Sequence, residues 1–393
     1  MRILQIVPSI SLVYGGPSQM VLGLSSALAK EGVEVLILTT DSNGDTGQAP
    51  LDVPLNRPVE QDGYQIRYFR CSPFRRYKFS LDLLKWLSRY ASDYDLAHIH
   101  ALFSPVSSFA ARVARSQNLP YILRPLGTLD PADLQKKKRL KQIYAALLEK
   151  PNIAGAAAIH FTSTLEAKVS ERFGVNTRDL VIPLGVTGNS RTEVITTNLP
   201  AKSEVPQILF MSRIDPKKGL DLLIPALENI LAEGIDFQFI LAGANPQDPD
   251  YEEKIKARID SSPLKSHTTI TGFVTGDRKI SLLQNADLFV LPSYYENFGI
   301  AVAEAMAAGK PVVISDGVYI WEDVKNAEAG WVCSLTVESL TDNLRLALQN
   351  KTERENRGVK AREYALKEYS WNAIAKQTIQ AYKEILSLNV KEK

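Results

Sequence analysis

Apolar residues fall in short near-continuous runs separated by amphipathic stretches along nearly the whole chain. Ile3–Val7 is such a run, interrupted only by Gln5, and near-continuous rather than alternating hydrophobicity predicts a strand buried on both faces of a parallel sheet. Gly15-Gly16-Pro17 then opens a predicted helix reaching Glu31, with proline where the first turn tolerates it. Gly32 stands where a left-handed residue ends a helix, and Val33–Leu38 is the next predicted strand. The second half repeats the unit as helix Leu220–Glu233, Gly234 and strand Phe237–Ala242. Ala29-Lys30-Glu31-Gly32-Val33 and Leu231-Ala232-Glu233-Gly234-Ile235 are weak echoes in equivalent places. Strand–helix alternation of this kind predicts an α/β protein whose parallel sheets carry helices on both faces.

A polar, aperiodic stretch with Pro200 inside it separates the halves and reads as a linker near 188–205. The expected organisation is one Rossmann-like domain over 1–188, a linker over 189–204 and a second Rossmann-like domain over 205–371. Trp371–Leu388 has the pattern of a long amphipathic helix, and 372–393 is expected to pack back on the first domain. Two doubly wound domains facing across a cleft would bind ligands at the carboxyl ends of their strands.

Composition narrows the function classes. At 45% apolar and 23% charged the chain is globular, and a net charge of +2 gives no reason to expect nucleic acid as a partner. The charge is unevenly placed, with +6 over residues 1–190 and −4 over 191–393, which suggests different partners for the two halves. Cys71 and Cys333 lie outside any metal or Cys-x-x-Cys spacing and predict a reducing compartment without a disulfide. The N-terminal apolar run is too short for a signal peptide, and no stretch approaches the ~18–20 apolar residues of a membrane span. The expected location is cytoplasmic, either soluble or peripheral at the inner face of the membrane.

Two segments carry candidate chemistry. In Tyr295-Glu296-Asn297-Phe298-Gly299-Ile300-Ala301-Val302-Ala303-Glu304, a loop follows the apolar strand Asp287–Pro292, and Gly299 begins a helix. The amides of Phe298, Gly299 and Ile300 at a helix start form an anion site, and Glu296 and Glu304 beside it suit sugar and ribose hydroxyls. Either glutamate alone would also fit a helix-start or surface position. In Phe210-Met211-Ser212-Arg213-Ile214-Asp215-Pro216-Lys217-Lys218-Gly219-Leu220, a strand delivers Arg213 and Lys218 to its rim. A guanidinium fork with an ammonium point charge suits a diphosphate.

The order Ser-Arg-x5-Gly-Leu, then Glu-x7-Glu with Asn-Phe-Gly inside it, resembles the retaining glycosyltransferases of family 4, which have the GT-B fold. The resemblance extends to the Gly15-Gly16 loop, Asp95-Leu96-Ala97-His98-Ile99-His100, Ile182-Pro183-Leu184-Gly185-Val186 and Tyr369-Ser370-Trp371. It implies a nucleotide-sugar donor on the second domain and a saccharide or lipid-linked acceptor mainly on the first. It further implies that Arg213 and Lys218 neutralise the diphosphate, Glu304 takes the ribose and Glu296 the transferred sugar. Asn297, Phe298, Gly299 and Ile300 would give backbone contacts, and Gly272, Phe273 and Val274 would meet the base. Gly16 would approach the diphosphate from the first domain, and His100 would hydrogen-bond the sugar, with His98 structural.

His98 and His100 face one side of a strand, so a metal is the competing reading, but too few further ligands remain and none is expected. Asp93-Tyr94-Asp95 and Asp248-Pro249-Asp250 resemble metal-binding Asp-x-Asp motifs and are expected to be turn residues, with Arg213, Lys218 and the helix start replacing a cation. Arg124, in Arg124-Pro125-Leu126-Gly127, is an acceptor-side candidate. Lys136–Lys141 is either a solvated face or a patch for an anionic membrane surface. Leu184-Gly185-Val186-Thr187 departs from the Asn-Gly-Val-Asp of many relatives, so no contacts are carried over there. The expected function is hexose transfer from a nucleoside diphosphate, UDP-glucose first, with no cofactor. The alternatives are an epimerase of the same fold and a sugar-binding protein without turnover.

Overall fold

The computed structural model describes residues 1–44, 48–135, 138–188, 205–246 and 248–391, and the backbone only of 389–391. The stretch 189–204 expected to be a linker lies outside the described residues, as do Lys136 and Lys137. The chain forms two compact units, Met1–Gly185 with Trp371–Lys393, and Val186–Ser370.

The first unit is built on strands β1 (Arg2–Ile6), β2 (Glu34–Thr40), β3 (Pro58–Gln61), β4 (Tyr64–Phe69), β5 (Leu96–His100), β6 (Tyr121–Arg124), β7 (Ala158–Phe161) and β8 (Asp179–Val181). They lie in the order β3-β4-β2-β1-β5-β6-β7-β8, and only β3 runs antiparallel to its neighbour. Side chains alternate across the sheet, so Leu4 and Ile6 enter one core while Ile3 and Val7 enter the other. The second core is closed by the helix Trp371–Lys391, which contributes Ile374, Tyr382 and Ile385. Its first residue, Trp371, lies against Gly23 and Gly185, and a Cβ at either glycine would overlap the indole. A single added methyl there would displace the ring, which explains the two glycines.

The second unit has strands β9 (Gln207–Met211), β10 (Gln238–Ala242), β11 (Thr268–Gly272), β12 (Leu288–Leu291), β13 (Val312–Ser315) and β14 (Gly330–Cys333), all parallel in the order β11-β10-β9-β12-β13-β14. Connections run outward in opposite directions from β1 and β5 in one sheet and from β9 and β12 in the other. The loops beyond the carboxyl ends of those strands therefore diverge, and such switch points are where doubly wound sheets bind ligands. Cys71 and Cys333 are free and buried.

Candidate active site

In the second unit the switch point is formed by the loops after β9 and β12, the two segments singled out by sequence. Gly219 holds a φ of 71° and its missing Cβ leaves room for the Pro292 carbonyl, so the loops pack backbone to backbone. The Tyr294 N–H donates to the Lys217 carbonyl at 2.8 Å and fastens them further. Glu296 is clamped through its backbone: its N–H donates to Gly317 at 2.8 Å and its carbonyl accepts from Tyr319 at 2.9 Å. Gly299 caps the helix Ile300–Ala307 with a φ of 76°. The N–H groups of Phe298, Gly299 and Ile300 find no partner among the described residues.

These constraints bring Lys218 and Glu296 into a direct ion pair, with the lysine largely buried. Lys217 lies close by; burial lowers its pKa, with Glu296 opposing and Lys218 and Arg213 assisting. Glu304 pairs with Lys279 at 2.6 Å. Each carboxylate proposed for hydroxyl binding thus has a lysine beside it. Phe298 is buried with its ring 5.1 Å from that of Tyr369, whose hydroxyl donates to Asp323 at 2.6 Å. Its side chain anchors the loop, leaving the backbone as the part turned to chemistry. Gly272, the last residue of β11, is left-handed with φ 69°; beyond it Val274 is buried, and the ring of Phe273 is 76% exposed. Arg213 is exposed at the end of β9.

In the first unit the left-handed glycine is Gly15, with φ 68°, while Gly16 is the first residue of the helix Gly16–Lys30. The conformational demand therefore falls one residue earlier than the candidate. Gly16 has open space where a Cβ would stand. His100 and Arg124 end β5 and β6 as register partners. His100 is fully buried and belongs to a hydrogen-bonded chain that fixes its tautomer. His160 Nε2–H donates to the Ile182 carbonyl at 2.8 Å, so its Nδ1 accepts from His98 Nε2–H at 3.1 Å. His98 Nδ1 accepts from the Tyr382 hydroxyl at 2.8 Å, which accepts from the Gln5 amide at 3.1 Å. Gln5 Oε1 accepts from His100 Nε2–H at 2.7 Å, and His100 Nδ1 is left as a bare lone pair. Burial, reinforced by neighbouring charges, pushes His98 and His100 well below the usual histidine range and His160 down to about 3, so all three rings are neutral. Arg124 is 3% exposed, and burial lowers its guanidinium to about 10.

The Asp-x-Asp candidates have local tasks. Asp248 caps the helix Pro249–Asp260 by accepting from Tyr251, and Asp95 accepts from the Arg2 amide at 2.7 Å. Among the described residues no group of three or more His, Cys, Asp or Glu side chains is arranged to hold a metal ion. Sequence reasoning missed Lys279, Lys217, Gln5, Tyr382 and Gly15. A second lysine adjoining Lys218 and a second glycine adjoining Gly16 were the available signals; Lys279, Gln5 and Tyr382 act across distances that no local spacing records.

Two family models match the chain: a glycosyl transferase 4-like domain over residues 15–185 and the glycosyl transferases group 1 over 192–364. A phosphatidyl-myo-inositol mannosyltransferase of Mycobacterium leprae is 26% identical over 412 residues, covering 98% of this chain and 97% of that one. An uncharacterized glycosyltransferase of Methanocaldococcus jannaschii is 33% identical over 187 residues, and that match spans 47% of each chain, about half the relative's length. Among solved structures, Anabaena HepE in complex with UDP and glucose is similar with a TM-score of 0.73 and 19% identity, covering 98% of this chain and 100% of that one.

Proposed function

The chain belongs to the glycosyltransferases of the family 4 type, with the GT-B fold, and we propose that it transfers a hexose from a nucleoside diphosphate, UDP first, to a saccharide or lipid-linked acceptor with retention of configuration. The observation that carries this reading is the cationic cluster of Arg213, Lys217 and Lys218 around Glu296 at the switch point of the second unit, in the loop that leads to three amides without a partner among the described residues. Cations and helix-start amides suit a diphosphate. UDP is favoured because HepE, with the same fold, holds UDP and glucose. A lipid-linked acceptor is favoured by the mannosyltransferase relative, whose substrate is a phosphatidylinositol.

In this reading Lys218 turns from Glu296 toward the diphosphate, and the freed Glu296 accepts a hydroxyl of the transferred sugar. Glu304 takes the ribose and the exposed Phe273 ring stacks on the base. His100 Nδ1, a fixed acceptor, receives a sugar hydroxyl. No side chain is assigned as a nucleophile: the acceptor oxygen attacks from the face that the phosphate leaves, and that phosphate takes the acceptor's proton. The residues then act by positioning and by stabilising the leaving charge. Arg213, Lys218 and the helix start supply that charge in the protein itself, so the reaction is read as metal-independent.

Thermal unfolding with UDP, GDP and ADP, each with and without EDTA, tests the donor reading. UDP near a hundred times its dissociation constant should add about 2.7 kcal/mol of stability, with EDTA making no difference. A larger shift by GDP or ADP would reassign the base, and a shift abolished by EDTA would overturn metal independence.

A further inference from the structure

Arg124 is at odds with the rest of its unit. A guanidinium carries five N–H donors, yet none of Arg124's makes a hydrogen bond among the described residues, and its Nε is fully enclosed. Among the described residues it makes no direct ion pair either. Glu166, whose charge favours the charged guanidinium, accepts through Oε2 from the N–H and hydroxyl of Thr162, both at 2.7 Å; burial pushes its pKa upward, with those bonds and Arg124 opposing. Its other titratable neighbours are the Tyr382 hydroxyl and the neutral imidazoles of His98, His100 and His160. A buried cation without partners is among the costliest arrangements a fold can hold, and such groups persist where a ligand completes them.

The backbone around it carries the same signature. Ala101 and Phe103, just after β5, have φ of 68° and 58°; Leu126, just after β6, has 57°. Three non-glycine residues in the left-handed region therefore sit in two loops that follow register-paired strands. Phe103 is held there by the buried Glu149, which accepts from its N–H at 2.6 Å and from Ser108 at 2.7 Å. Backbone strain of this kind concentrates at ligand sites. Beside the guanidinium, His100 Nδ1 offers a lone pair that needs a donor. The pair thus asks for an anion with at least two oxygens and, next to it, an O–H.

We propose that Arg124 is the receptor for a phosphate group on the acceptor, so that the acceptor is a phosphorylated saccharide, while His100 keeps its hydroxyl of the transferred sugar beside it. This rests on the glycosyltransferase reading and names its acceptor class. The guanidinium fork meets two phosphate oxygens in one plane, a match that an ammonium or an amide cannot make. A soluble sugar phosphate and a lipid-linked sugar phosphate present the same group.

Calorimetric titration of the full chain in saturating UDP tests it, with glucose 1-phosphate and farnesyl phosphate as the charged probes and methyl glucoside and glucuronate as controls. Phosphate esters should bind at least about tenfold more tightly than either control, in line with a hydrogen bond to a charged group. Binding of glucose 1-phosphate alone assigns a soluble acceptor; binding of farnesyl phosphate as well assigns a lipid-linked one. Arg124→Gln should weaken the esters by about 10–100-fold, with part of the loss recovered in Arg124→Lys. The same Arg124→Gln should unfold at a higher temperature without ligand, because it removes an unpaired buried charge, a change that a structural arginine would show with the opposite sign. Equal ester binding by wild type and Arg124→Gln overturns the proposal, as does a tighter control, or a variant that unfolds earlier or fails to fold. UDP titrated first into the wild type reports separately on the donor reading.

Discussion

Lys218 and Glu296 hold each other across the two loops of the second unit, and that pairing bears on how their removal would read out. Cleaving a glycosyl–phosphate bond turns a donor diphosphate of about −2 into a nucleoside diphosphate nearer −3, so cations beside it stabilise the transition state more than the bound donor. Arg213→Ala or Lys218→Ala is expected to lower kcat by about 10²–10³-fold. Glu304→Ala should differ, since ribose hydroxyls gain no charge: the donor KM should rise more than kcat falls. Lys279→Ala should follow Glu304→Ala in direction and be weaker, because Lys279 orients that carboxylate from 2.6 Å without touching the donor in this reading. Steady-state kinetics on folded variants decide it. Unchanged kcat in Lys218→Ala with only KM raised would reduce the lysine to a donor clamp.

Elements were more legible than contacts. The near-continuous apolar runs of β1, β9 and β12 and the glycines after the helices mark a parallel α/β fold, because burial on both faces leaves a pattern in adjacent residues. What joins elements leaves none: Lys279 reaches Glu304 from another helix, and nothing at 279 announces it. Gly15 and Gly16 are the same letter, and only the backbone shows which one is left-handed. The lysine run shows a further gap between pattern and structure. Lys141 is committed to Asp133 at 2.6 Å, whereas Lys138 and Arg139 are exposed beside the exposed side chains of Leu140, Ile143 and Leu147. The helix Lys138–Tyr144 and the π-helical turn Ala145–Glu149 thus present an apolar row flanked by basic residues, the form of an interfacial helix. Binding to vesicles containing anionic lipid should weaken with salt and fall strongly in a Leu140→Ser, Ile143→Ser, Leu147→Ser variant. Sedimentation unchanged by these substitutions would return the row to a plain solvent face.

At the scale of the molecule, the three buried histidines set a pH limit. Their folded pKa values lie below the unfolded value of about 6.5, so below that pH the unfolded chain binds protons that the native chain refuses. Stability is full above pH ~6.5 and should decline as pH falls toward 3, by up to about 1.4 kcal/mol per pH unit for each histidine. Chemical denaturation between pH 4 and 8 checks it; a flat profile from 6.5 to 4 would contradict the neutral chain of rings. That chain depends on Tyr382, whose hydroxyl meets Gln5 and His98 from 377 and 284 positions further along the sequence. The consequence concerns time more than space. A ribosome releases residues in order, so all of 186–370 emerges before the helix that closes the core over Ile3, Val7 and Ile122. The first unit to be synthesised is therefore the last to be finished. Its apolar face stays uncovered throughout translation of the other unit, which makes this interval the one in which a nascent chain most needs a chaperone.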